Sequence, residues 1–475
     1  MPELKNNLIS APLQYIYRLS GEVLDAAPYR NEFERDRDRI LYSKEFRRLS
    51  GKTQVFLSTS NDQIRTRLTH TLEVAQISRI TATKLNLDAT LAEAISLGHD
   101  VGHTPFGHVG ENVLSLLMNG CDKIAKFQEE MKNEDRGFKH NYQSIRVVCD
   151  LEQLYGKIGL NLTNFTMWGF ANHTKRKWSD CYYFNDADKQ CYLHRDPSPC
   201  NSNGKASVEF YNRYNKNIYL RESDDEAWSF EGEIVKITDE IAQRHHDIED
   251  AIRMGIITTD ELNNNIEIFQ EFFNKDEKKI YNRLLENKDS PTIYLPYASK
   301  LIVHFLNRSL IENSKENLLN FIREYDIKTE KDFTDIYPKI KYDEINNIIS
   351  LPPELARKED VFHKFLKDRV LNSFEVQRMD GKGRFIIRRL FKAYLTNPRQ
   401  LHDITIKFVF KIYDPDNKDY FKIDESELGS LRVHIDSPTK KADPRFQIAL
   451  LRGICDHIAG MTDDFALSEY KRLYG

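Results

Sequence analysis

Nothing in the 475 residues is arranged as a cysteine framework. The six cysteines, Cys121, Cys149, Cys181, Cys191, Cys200 and Cys455, include no CxxC pair, which argues against a disulfide scaffold or a zinc ribbon. Cys181, Cys191 and Cys200 with His194 match no common zinc spacing either, so free thiols are expected. No apolar run approaches the ~20 residues that a membrane-spanning helix needs, and the N-terminus lacks the charged-then-apolar pattern of a secretory signal. A soluble, cytoplasmic protein without a membrane partner is the expectation. An excess of one charge is missing too: 69 Lys and Arg stand against 73 Asp and Glu, net −4, so no whole-chain attraction to nucleic acid is implied. Glycine and proline are sparse, at 20 and 15 residues, beside 40% hydrophobic and 30% charged residues, which excludes fibrous and disordered classes. Gly51-Lys52-Thr53 is not a phosphate-binding loop, because the glycine required five residues before Gly51 is Phe46.

What is present is helical periodicity. Phe33, Ile40, Leu41, Phe46 and Leu49 predict an amphipathic helix over residues 30–50. Residues 68–87 and 89–100 carry apolar positions at threes and fours, and 228–254 does the same with Ile234, Ile237, Ile241 and Ile248. In TPFGHVGENVLSLLMNG, Thr104 is the expected N-cap, Pro105 the first helical residue and Gly120 the stop. Between about 176 and 226 the pattern gives way to Asn, Asp, Ser, Tyr and Pro with the aromatic alternation VEFYNRYNKNIYL, which reads as a small irregular or hairpin insertion. The expected fold is all-α. An N-terminal helical segment (1–60) precedes a core (61–260) that carries the insertion, and a helical C-terminal region (261–475) completes the core and supplies oligomer contacts.

The chemistry concentrates in separated His and Asp residues. His70, the adjacent pair His99 and Asp100, and the distant Asp239 can complete one divalent-metal site. Adjacent helical residues diverge by about 100°, so His99 and Asp100 reach one ion only where a helix ends, and Gly102 with Pro105 supplies that ending. HDVGHTPFGHVGE crowds His99, His103 and His108 beside Asp100 and Glu111. His108 and Glu111 are three apart, and a carboxylate bonded to imidazole fixes its tautomer and raises its basicity, as proton transfer requires. The segment Thr104 to Gly107, at a helix N-terminus, is placed to face a phosphate. Arg67 shares a face with His70 and is either a phosphate fork or a surface arginine. Asp239, Gln243 and Asp247 form a polar stripe that would line a cleft. Lys382, Arg384, Arg388, Arg389 and Lys392, interleaved with Phe385 and Phe391, are either a nucleotide or single-strand patch or a solvated helix face.

Through RTRLTHTLEVAQISR, LGHDVGHTPFGHVGE, FKHNYQS, GLNLT, ITDEIAQRHHDIEDAI and the terminal IAGMTDDFAL, the chain resembles the dGTPase family of HD-domain triphosphohydrolases from about residue 28 to its end. The resemblance implies an all-helical body with a magnesium or manganese ion on His70, His99, Asp100 and Asp239. It implies His103, His108 and Glu111 at the scissile phosphate, with Arg67 and His140 on phosphate oxygens. Gln54 and Asp247 would contact the sugar 3′-hydroxyl. Several branches have Tyr one turn after the last metal Asp where this chain has Gln243, which unsettles substrate contacts near that turn. The implied reaction converts a deoxynucleoside triphosphate, with dGTP favoured, into deoxynucleoside and triphosphate. A homo-oligomer, with a hexamer favoured, and allosteric control by a dNTP or single-stranded DNA come with the family. Two alternatives stay open on the sequence. One is an HD phosphodiesterase or nucleotidase with the same ligands and other products; the other is a nucleotide- or single-strand-binding regulator with a little-used site.

Overall fold

In the computed structural model, residues 5–20, 29–54, 65–122, 124–125, 128, 130, 131–153, 159–176, 207–221, 223–416 and 425–475 are described. Among them no β-strand occurs, only isolated bridges between Thr53 and Thr66 and between Tyr219 and Glu226. The fold is all-α, as the periodicity predicts.

Eight helices frame the N-terminal core: α1 (Glu32–Tyr42), α2 (Lys44–Arg48), α3 (Arg67–Lys84), α4 (Ala89–Gly98), α5 (Gly107–Met118), α6 (His140–Arg146), α7 (Asn164–Asn172) and α8 (Phe230–Arg253). Their starts are written locally. Asn31 and Glu34 form a reciprocal capping box on α1, Asp88 accepts from Thr90 and Leu91 backbone N–H at the head of α4, and Ser229 caps α8. α3 packs against α4 and α8, and α7 closes on α4, α6 and α8. The buried residues Val74, Leu91, Ile95, Trp168, Ile234 and Ile241 belong to this core. A second core joins Val113, Leu114 and Leu117 of α5 to Ile387, Leu390, Phe391, Leu450 and Ile454 of C-terminal helices. α5 therefore has its apolar face in one core and its first turn at the edge of the other.

Three local expectations are corrected. The single helix over 30–50 is broken at Ser43, whose extended backbone (ψ 152°) ends α1 and whose hydroxyl accepts from Phe46 N–H to start α2. α5 starts at Gly107, after both Thr104 and Pro105, because Phe106 adopts the left-handed conformation (φ 61°) at its N-cap; Thr104 donates to the Gly107 carbonyl instead of capping. The aromatic alternation after residue 207 is a 3₁₀ helix, Glu209–Asn217, not a strand pair. Long-range contacts hold it: Tyr211 donates to Gln143 at 2.8 Å, and the Arg452 guanidinium lies 3.5 Å from the Phe210 ring centroid. The rest of the insertion, 177–206, with Cys181, Cys191, His194 and Cys200, lies outside the described residues. The basic segment 381–395 lies within the helix Phe374–Thr396, where Arg388 pairs with Asp122 at 2.7 Å and Arg389 lies over Phe385.

Candidate functional site

The inner face of the N-terminal core is built by helix ends. α3 contributes Arg67 and His70 from its first turns, and α4 ends at Gly98, so that His99 and Asp100 lie at its C-terminus. His103 follows in the connecting loop, α5 adds His108 and Glu111, and His140 is the first residue of α6. Asp239 lies midway along α8. Gly102 lets α6 close over the loop: a Cβ there would meet Ser144 N at 2.2 Å and the His140 carbonyl at 2.4 Å. Ser144 fixes the crossing by accepting from Gly102 N–H at 2.9 Å and donating to the His99 carbonyl at 2.7 Å.

Two groups of metal-type ligand atoms result. His70, His99 and Asp239 offer atoms all within 4.8 Å of one another, as do Asp100, His103 and His140. His70 Nε2 is 2.9 Å from Asp239 Oδ1. His99 Nδ1 faces the Ser96 carbonyl at 2.6 Å; a carbonyl only accepts, so Nδ1 carries the proton and Nε2 is bare. That Nε2 is buried with no hydrogen-bond partner, 3.5 Å from Asp100 Oδ1 and 3.8 Å from Asp239 Oδ1. A buried lone pair flanked by two carboxylates is costly unless a cation satisfies all three. The donor set of imidazole and carboxylate suits a divalent first-row metal or magnesium. Burial alone would raise the Asp100 carboxyl, but the fields of His103, His99 and Arg67 hold it well below the ordinary carboxylate range. Asp239 is likewise held low against burial, by His70 and His99.

Asp100 joins the groups. Its Oδ2 takes Arg67 Nη1 at 2.5 Å, while Oδ1 lies 3.2 Å from His103 Nε2. Arg67 keeps two buried nitrogens, Nε and Nη2, without partners, with Nη2 beside Gly107 at the head of α5, so half of a planar fork is unused. His103 stacks on His140 with ring centroids 3.9 Å apart. Burial and the Arg67 charge push the His103 imidazole well below its usual pKa, and burial lowers His140 against the opposing pull of Glu111. The expected pairing of His108 with Glu111 is the looser one, at 3.5 Å. Glu111 Oε1 instead accepts from both the backbone N–H of His140 (2.9 Å) and its Nδ1 (2.8 Å). His108 is 68% exposed, which puts its ring on the solvent side of the cluster.

The remaining expected residues are less tightly joined. Gln54 is half-buried with a buried, unpartnered Oε1, and its carbonyl lies beside Gly107 at the head of α5. Asp247 is buried on α8, its carboxyl pushed up to about 7 by burial against the charge of Arg244. Gln243 is half-buried one turn after Asp239. Sequence reasoning missed His173, at the C-terminus of α7. Its Nδ1 donates to the Phe170 carbonyl at 2.8 Å, which leaves Nε2 bare 3.2 Å from His140 Nε2 and 4.0 Å from Asp100 Oδ1. No carboxylate stands beside it in the sequence to flag it. Lys52 and Asp463 were also missed: Lys52 donates to the His103 and Ala459 carbonyls, and burial pushes its ammonium down to about 8.

Against known proteins, residues 67–244 match the HD domain, and residues 349–409 and 431–472 match the phosphohydrolase-associated domain. A deoxyguanosinetriphosphate triphosphohydrolase-like protein of Geobacter metallireducens is 32% identical over 447 residues, 94% of this chain and 89% of the relative. Its namesake in Bordetella pertussis is 30% identical over 446 residues, 94% and 90% of the two chains. The Thiobacillus denitrificans protein of the same name is 30% identical over 456 residues, 94% and 92%. With the matched HD domain enclosing the His–Asp cluster, the chain belongs to the deoxyguanosinetriphosphate triphosphohydrolase-like family and is a metal-dependent phosphohydrolase.

Proposed function

We propose that the protein hydrolyses deoxynucleoside triphosphates at the α-phosphate, giving deoxynucleoside and intact triphosphate, with dGTP the favoured substrate. One observation carries the reading: the bare, buried His99 Nε2 between Asp100 and Asp239 lies next to Arg67, which has two unsatisfied guanidinium nitrogens. Cation ligands and an anion fork side by side suit a phosphate ester bound through both.

His70, His99, Asp100 and Asp239 would hold the ion, magnesium or manganese, which supplies Lewis-acid stabilisation of charge on a phosphoryl oxygen. Arg67 and His103 balance the charge that develops on the α-phosphoryl group. His140, gripped by Glu111, and His108 on the solvent side are the proton-transfer groups: one takes the proton of the attacking water, the other returns one to the departing 5′-oxygen. Asp247 and Gln54 would contact the sugar 3′-hydroxyl, and Gln243 would lie near that end of the substrate. The family relationship supports a homo-oligomer, hexameric in the first instance, with a dNTP or single-stranded DNA as effector; light scattering with and without each tests that part.

The test is incubation with each dNTP and rNTP plus magnesium or manganese, products resolved by anion exchange. Deoxynucleoside plus triphosphate is expected; pyrophosphate, phosphate or a monophosphate refutes the α-phosphate assignment.

A further inference from the structure

Behind His70, on the side away from Asp239, a third cluster joins α3 to α8. Glu73 Oε2 lies 2.7 Å from His246 Nε2 and 2.8 Å from His245 Nδ1. His246 Nδ1 in turn lies 3.3 Å from His70 Nδ1. The His246 side chain is fully buried, so water does not reach its ring nitrogens. The three residues have metal-ligand chemistry, yet their spacing is that of hydrogen bonds. Arg65 also brings its own positive charge to the cluster, with Nε 3.3 Å from Glu73 Oε1 and Nη1 2.6 Å from Glu249.

With a cation bound beside Asp239, the proton positions follow by elimination. A carboxylate only accepts, so His246 Nε2 carries the proton it gives to Glu73. In the neutral ring Nδ1 is then bare and able to accept from the facing His70 Nδ1, 3.3 Å away. Without the cation, His70 Nε2, 2.9 Å from Asp239 Oδ1, is equally able to carry the proton, so donation from Nδ1 selects the tautomer that leaves Nε2 bare for the ion. We propose that Glu73 and His246 are positioning residues: a one-way hydrogen-bond train from Glu73 through His246 fixes His70 in the tautomer and ring orientation that presents Nε2 to the metal. This rests on the reading of His70 as a ligand. His246 lies seven residues, about two helical turns, beyond Asp239, so one face of α8 provides both the ligand carboxylate and the support of a ligand imidazole.

The experiment measures Mn2+ binding by isothermal titration calorimetry on chelator-treated full-length protein, with thermal melts to confirm folding. His246→Phe fills the ring's place but cannot accept from His70, and its Kd for Mn2+ should rise about 10- to 100-fold. Its kcat should recover to within about 3-fold at saturating Mn2+, which general damage to the fold would not allow. His246→Asn returns an acceptor oxygen near the position of Nδ1 and should regain most of the lost affinity. Glu73→Leu, at a partly exposed position, removes the terminal acceptor and should weaken binding in the same direction if His246→Phe does not fold. Wild-type affinity in folded His246→Phe or Glu73→Leu overturns the train while leaving the metal site standing. Absence of Mn2+ uptake by the wild type overturns both.

Discussion

Asp463 joins the far end of the chain to the active-site loop, and its removal has a calculable effect. Its Oδ1 accepts from Phe106 N–H at 2.8 Å, and its Oδ2 accepts from Thr53 N–H at 2.8 Å and from the Thr53 hydroxyl. Phe106 and Thr53 are 3% and 1% exposed, so water cannot replace the lost acceptor. Asp463→Ala strands two buried backbone donors at about 1–3 kcal/mol each. Burial raises the Asp463 carboxyl, so part of that cost is offset by no longer desolvating the acid. A net loss of about 2–4 kcal/mol is expected, lowering Tm by on the order of 5 °C. Phe106 at φ 61° is also strained, by about 1–2 kcal/mol for a non-glycine residue, and the lost bond is one that holds it there. The loop between His103 and His108 should relax, lowering kcat by at least about 10-fold while Mn2+ affinity at His70, His99 and Asp239 persists. Calorimetry, amide exchange at Phe106 and Thr53, and steady-state kinetics provide the readouts. A Tm within 1 °C (about the error of such a scan) together with unchanged exchange at both amides would refute the reasoning.

Glu111→Gln keeps the shape but removes the charge gripping His140; kcat should fall about 10²–10³-fold, measured by product release, while Mn2+ affinity stays within a few fold. Arg67→Lys replaces a planar fork by a point charge, and kcat/KM should drop about 10- to 100-fold; parity with wild type would remove Arg67 from the phosphate site. Chelator treatment should abolish turnover, and added Mn2+ or Mg2+ should restore it. His457 is lowered to about 4 by burial and by the charges of His402 and Arg48, so it stays neutral in the fold while the unfolded chain titrates near 6.5. Its stability contribution is complete above pH 6.5 and is lost as pH falls toward 4, at up to about 1.4 kcal/mol per pH unit. Urea unfolding of His457→Phe at pH 7, 5.5 and 4.5 should show a flatter decline than wild type, and an identical slope would contradict this.

The helices that present the site were legible because their periodicity is local. α3, α4 and α8 have the expected apolar spacing, and His70, His99, Asp100 and Asp239 converge from three of their ends and faces. What escaped depends on contacts across long stretches of chain. The start of α5 is set by Asp463, 357 residues from Phe106, which no rule about Thr104 and Pro105 contains. Glu111 turns to His140, 29 residues away, more closely than to His108 on its own helix. The aromatic run after residue 207 alternates like a strand, yet Gln143 and Arg452 draw it into a 3₁₀ helix. His173 was hidden because a histidine without an adjacent acid has no local mark, and His246, although Asp247 follows it, was hidden because its partners Glu73 and His70 lie on another helix. For His246 the seven-residue interval from Asp239 was a usable signal.

The most direct measurement is hydrolysis of dGTP in H₂¹⁸O with Mn2+, followed by phosphorus-31 NMR and mass analysis of both products. Attack at the α-phosphorus predicts one ¹⁸O on a terminal phosphorus of the released triphosphate and none in deoxyguanosine. Label in deoxyguanosine, or release of pyrophosphate or phosphate in place of triphosphate, would contradict the account.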